Sequence, residues 1–174
     1  MKKALTIAMF TSLITTVLGV SLGVTNQRRK DLKKSGRVTE GFQVSAKAEN
    51  ERIKPGDAAA VRVGIKNVTK KDLHLAEAGS TKDYKLQVSS DTRKTIPLTE
   101  LGKRLEDNRY DLYMNVSLVI KPGEEREDVI DVSKIYDMKT PGNYSIVFQR
   151  KVRTLEGKGV AQAESNTVHI QVIR

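Results

Sequence analysis

Cysteine is absent from this 174-residue chain, which excludes a disulfide framework, thiolate catalysis and cysteine-ligated zinc. Stability must therefore come from an apolar interior. Tryptophan is also missing and aromatic residues make up only 5%, too few for a surface that stacks nucleic-acid bases. Histidine occurs twice, as His74 and His169, and neither sits in the spacing of a metal site. No Gly-x-Ser-x-Gly elbow and no His-Glu-x-x-His helix is present, so serine hydrolysis and zinc proteolysis lack their residues. The chain reads as non-enzymatic, with no catalytic, metal or cofactor-binding residue assigned.

What the chain does have begins at its start. Met1-Lys2-Lys3 leads into Ala4 to Val24, an uncharged run rich in Leu, Ile, Val, Ala and Thr. This is the layout of a bacterial-style secretory signal. Ser21-Leu22-Gly23 or Val17-Leu18-Gly19 supplies small residues for cleavage. The run also reaches the roughly 20 residues of a membrane-spanning helix. Residues 1–24 are thus a signal peptide or a membrane anchor, expected as an N-terminal hydrophobic helix. Arg28, Arg29, Lys30, Lys33, Lys34 and Arg37 follow it and favour a cytoplasmic location by the positive-inside rule. The short basic start at the extreme N-terminus outweighs them, and the expected location is extracytoplasmic: periplasmic, secreted or membrane-tethered.

The formal net charge of +10 is concentrated in this front part. Eight cations and two anions fall in residues 1–40, which leaves 23 cations against 19 anions for the rest. Residues 25–40 form a basic linker, suited to anionic headgroups or wall polymers, or to acting as a solvated spacer. Nucleic acid is an improbable partner, because the remainder is only mildly basic.

Residues 41–174 suffice for one domain, and their pattern is that of strands. Phe42, Val44, Ala46 and Ala48 alternate with polar residues, as do Val61, Val63 and Ile65, and then Tyr84, Leu86 and Val88. This is the period of a strand buried on one face. A short strand is expected around Leu73 and Leu75. Further strands are Tyr113 to Ile120, Val129 to Val132, Tyr144 to Phe148 and Val168 to Ile173. Lys54-Pro55-Gly56-Asp57, Lys121-Pro122-Gly123-Glu124 and Thr140-Pro141-Gly142-Asn143 are turns. Between Thr95 and Asn108, Pro97 and Gly102 allow one helical turn at most within an inter-sheet connection. Seven or eight antiparallel strands make an all-β, two-sheet sandwich.

The order Lys121-Pro122-Gly123-Glu124, Ile130-Asp131-Val132-Ser133, Ile135-Tyr136-Asp137 and Pro141-Gly142-Asn143-Tyr144-Ser145-Ile146 resembles Ig-like domains of secreted bacterial proteins. It is similar as well to pro-regions of some secreted metallopeptidases. Lys54-Pro55-Gly56-Asp57 with Asn67-Val68-Thr69 looks like the matching first half. The resemblance implies an Ig-like sandwich and places Tyr144 as a tyrosine corner, with Asp137 and Gly142 shaping the turn before it. Antibody-type domains are excluded, since their cysteine pair and core tryptophan are missing.

The function expected is a binding or structural module of the cell envelope, its partner another envelope protein or a surface polymer, with no small-molecule substrate. Binding is expected on the loops Asn67 to Asp72, Thr92 to Asn108 and Leu155 to Gly159. The alternative is a peptidase inhibitor or pro-domain-like regulator. A third reading, a hydrolase or calcium site on Glu124, Glu125, Glu127 and Asp128, lacks the required spacing; a solvated turn and strand edge fits them better. Three Asn-x-Ser/Thr triplets, at Asn67, Asn115 and Asn143, are glycan acceptors only in a eukaryotic route.

Overall fold

The computed structural model describes residues 36, 41–77, 79–93, 95–107, 116–153 and 160–174. The expected N-terminal helix, most of the basic linker and the loop Leu155 to Gly159 lie outside them. Among the described residues there are ten strands: β1 Phe42–Ala48, β2 Arg52–Ile53, β3 Ala60–Asn67, β4 Leu73–Glu77, β5 Tyr84–Ser90, β6 Val116–Ile120, β7 Glu125–Asp131, β8 Gly142–Arg153, β9 Val160–Glu164 and β10 Val168–Val172. Two short helices, α1 Ser80–Asp83 and α2 Glu100–Asp107, and one 3-10 turn, Val132–Lys134, complete the described elements.

One sheet has the order β1-β3-β7, and the second β2-β10-β8-β5, with β9 also paired to β8. A separate two-stranded ladder joins β4 to β6. β1 packs against β8, β9 and β10 of the second sheet. This order matches strands A, B and E of one Ig-type sheet and C, F and G of the other. The architecture is therefore an Ig-like sandwich.

Alternation creates its core. Phe42 and Val44 from β1, Val61, Val63 and Ile65 from β3, Tyr144, Ile146 and Phe148 from β8, and Ile170 and Val172 from β10 are all buried. Each such side chain removed from water contributes about 1.5–3 kcal/mol. Their polar neighbours line the two outer faces.

The structure corrects several expectations. Among the described residues ten strands replace seven or eight, because β2 has only two residues and β9 consists largely of small and polar ones. The β2–β10 pair is parallel, so the sandwich is not wholly antiparallel. β7 starts at Glu125 within the acidic cluster, and Val132 belongs to the 3-10 turn. The connection after Pro97 holds an eight-residue helix, α2, where one turn was expected. Thr99 Oγ1 accepts from the Gly102 amide at 3.1 Å, an N-terminal cap. Gly102 persists inside the helix because a Cβ there would overlap the Ile135 carbonyl.

The Tyr144 expectation is met. Its buried hydroxyl donates to the Thr140 carbonyl at 2.7 Å, fixing the approach to β8. At the opposite seam, between β9 and β10, the Asn166 carboxamide reaches across to β1. It accepts from the Ala46 amide at 3.0 Å and donates to the Ala46 carbonyl at 2.9 Å. A side chain here takes the place of a neighbouring strand.

Candidate functional site

Three connections meet at one end of the sandwich around an open hollow of about 340 Å³. Its lining includes Gly56 and Asp57 from the β2–β3 turn, Thr99 before α2, Ser133 from the 3-10 turn, and Asp137 to Lys139 before β8. Gly56 has φ of +94°, a conformation that glycine adopts without strain. The turn is closed by Asp57, whose amide donates to the Lys54 carbonyl at 3.1 Å and whose carboxylate accepts from the Lys54 amide at 2.9 Å.

The other connections are held as firmly. Asp131 Oδ1 accepts from the Ala59 amide, the Ser133 amide and the Ser133 hydroxyl, the last at 2.6 Å. The Thr99 amide donates to the Ile135 carbonyl at 2.9 Å, and the Asp137 amide to the Pro97 carbonyl at 2.8 Å. Both hydroxyls of the hollow are thus committed to its framework. Asp137 lies 3.9 Å from Arg93, whereas Lys139 makes no ion pair among the described residues. The hollow combines Asp57, Asp137 and Lys139 with the buried Met138. Such a surface suits mixed-charge contacts, and its two hydroxyls are bonded to neighbouring groups.

The two histidines lie on different ladders. His74 on β4 stands opposite Val119. His169 on β10 stands opposite Ser145 of β8, with Nδ1 3.1 Å from the Ser145 hydroxyl. Only strand register brings this pair together, so sequence spacing held no sign of it. A hydrolytic triad needs a third group on the imidazole and donors for an oxyanion. Among the described residues the His169 ring has no further hydrogen bond, and the pair lies on an outer sheet face.

Of the loops expected to bind, Asn67 to Asp72 is a structural node. Asn67 is fully buried. Its Nδ2 donates to the carbonyls of Lys71 and Ile120 at 2.7 and 2.8 Å, and its Oδ1 accepts from the Thr69 amide and hydroxyl. A glycan has no access to that nitrogen. Asn143 donates to Asp91 at 2.6 Å, and Asn115 lies outside the described residues. From Thr92 to Asn108, the segment that borders the hollow is Thr99.

The acidic cluster is dispersed along the edge strand β7. Glu124 accepts from the Lys121 amide at 2.8 Å and pairs with Arg126 at 2.9 Å; the Lys121 amide holds its carboxyl below the usual range. Glu125 accepts from Ser45, and Glu127 pairs with Arg62. Among the described residues no three histidine or carboxylate side chains are grouped to hold a metal ion.

The sequence matches no protein-family description and has no recognisable relative among curated proteins. Among solved structures, the ASH/PapD-like domain of human CEP192 (PapD-like domain 7) aligns over 99% of both chains, with a TM-score of 0.37 and 9% identity.

Proposed function

We propose that the chain is a non-catalytic binding or structural module of the cell envelope, exported or membrane-tethered through Ala4 to Val24. The observation that carries the reading is the hollow: three connections, each fixed by backbone hydrogen bonds, converge on a mixed-charge surface. Loops held by a rigid scaffold are where binding residues concentrate. The partner is another envelope protein or a surface polymer that meets Asp57, Asp137 and Lys139. The resemblance of its Pro-Gly turns to pro-regions makes an envelope peptidase the first partner to try.

A photo-crosslinking residue at position 139 of the full chain, expressed in cells and irradiated, tests this reading. One envelope partner is expected from position 139 and none from position 85 on the outer sheet face. Identical products from both positions, or none from either, count against the hollow. Protease protection of the domain in intact cells, lost only on opening the inner membrane, would refute the location.

A further inference from the structure

The edge of β1 that faces away from β3 has an unusual occupant. The Gly41 carbonyl accepts from the Val68 amide and the Glu49 amide donates to the Ala60 carbonyl, each at 2.9 Å. In an antiparallel ladder such bonded positions alternate, so odd-numbered residues of β1 bond β3. The backbone groups of Phe42, Val44, Ala46 and Ala48 therefore face the seam between the two sheets. Asn166 satisfies both groups of Ala46. The Val44 carbonyl accepts from the amide of Gly36 at 2.9 Å, and the Gly36 carbonyl accepts from Gln43 Nε2 at 2.7 Å.

The space around Gly36 excludes every other residue type. A Cβ at this position would overlap the carbonyl oxygens of Glu164 and Val44 and lie 2.8 Å from Ser165 Cα. All three obstacles are backbone atoms, from β1, β9 and the joint after β9, so no side-chain rotation relieves the clash. Glycine is required by the room available, not by an unusual backbone angle.

We propose that the seam between β1 and the β9–β10 joint is a glycine-specific docking slot for a peptide segment, filled in this chain by its own Gly36. The slot holds Gly36 against β1 and the β9–β10 joint. A backbone donor to Val44 and a backbone acceptor for Gln43 read the segment. The missing Cβ selects it.

Hydrogen exchange on the full-length chain tests the slot. The Gly36 amide is expected to exchange about tenfold more slowly than in a free peptide of residues 33–40, as the gain from one or two hydrogen bonds implies. Gln43→Ala, which removes the donor to the Gly36 carbonyl and leaves the backbone walls of the slot in place, is expected to remove about fivefold of that protection. Gly36→Val is expected to abolish it. The free peptide should then bind the Gly36→Val chain, whereas a peptide carrying the same substitution should not. Exchange of Gly36 at the free-peptide rate in the unaltered chain would overturn the proposal. Protection that survives Gln43→Ala unchanged would do the same, even if Gly36→Val does not fold.

Discussion

Arg150 and Asp83 form an ion pair shut away from water, with 3.3 Å between guanidinium and carboxylate and side-chain exposures of 2% and 8%. The Arg150 guanidinium also lies 4.9 Å from the centre of the Tyr84 ring. A buried pair is most costly when one member is removed, because the other charge is stranded. Asp83→Ala should therefore destabilise the domain by about 3–5 kcal/mol, read as a lowered urea midpoint. Joint replacement of Arg150 by Met and Asp83 by Ala should restore much of that loss. Equal midpoints for the single and double variants would contradict this account.

Tyr84 supplies a second test, at alkaline pH. Its hydroxyl is buried without a hydrogen-bond partner among the described residues, and burial raises its pKa, with the Arg150 charge opposing the shift. A raised folded pKa stabilises the fold fully below the unfolded tyrosine value of about 10. That contribution fades as pH rises through the higher folded value. Stability should fall more steeply above pH ~10 in the unaltered chain than in Tyr84→Phe. At neutral pH the substitution should be neutral or stabilising, since it removes an unsatisfied buried group.

The corner at Tyr144 should contribute a single good hydrogen bond. Tyr144→Phe keeps the ring in the core and loses only the bond to the Thr140 carbonyl. A cost of about 1 kcal/mol is expected, measurable by chemical unfolding. A negligible change would mean that the corner is held by packing alone.

How much of this was readable in advance depended on how local each feature is. Alternation with β-branched residues announces seven or eight strands, because Val61, Val63 and Ile65 or Val168, Ile170 and Val172 report burial directly. β7 was read too short, since a charged edge strand has water beside both faces and its exposed Arg126 hides the alternation. Gly102 argued against α2 until its closeness to Ile135 became visible. The Ser145–His169 pair, the Asn166 stitch and the Gly36 slot depend on register or on contacts across the sandwich, which no short window of sequence contains. The hollow was foreseen only as turns, not as their convergence.

Asn67 should be among the least replaceable polar residues. Asn67→Ala strands the carbonyls of Lys71 and Ile120 and the Thr69 amide in or near the interior, and should cost about 3 kcal/mol or more. Expression in a glycosylating secretory host should yield no glycan at Asn67 on folded protein, as mass spectrometry of the surrounding peptide would reveal.

Asp91 introduces an acid-side dependence. The Asn143 amide and then its side chain bond this carboxylate and lower its pKa. A depressed folded pKa gives stability above the unfolded carboxylate value of about 4, lost as pH falls through the folded value. Asp91→Ala should lower the urea midpoint at pH 7, and the gap from the unaltered chain should close on acidification. A gap that is constant with pH would show that the Asp91 contribution is not its charge.

The join of β1 to the β9–β10 joint depends on the single carboxamide of Asn166. Spontaneous hydrolysis of its carboxamide would exchange the group that donates to the Ala46 carbonyl for a second oxygen, turning attraction into repulsion at one atom. Ageing of the purified protein would then register as one added negative charge accompanied by loosening of the seam at β1, while the interior beyond it stayed folded.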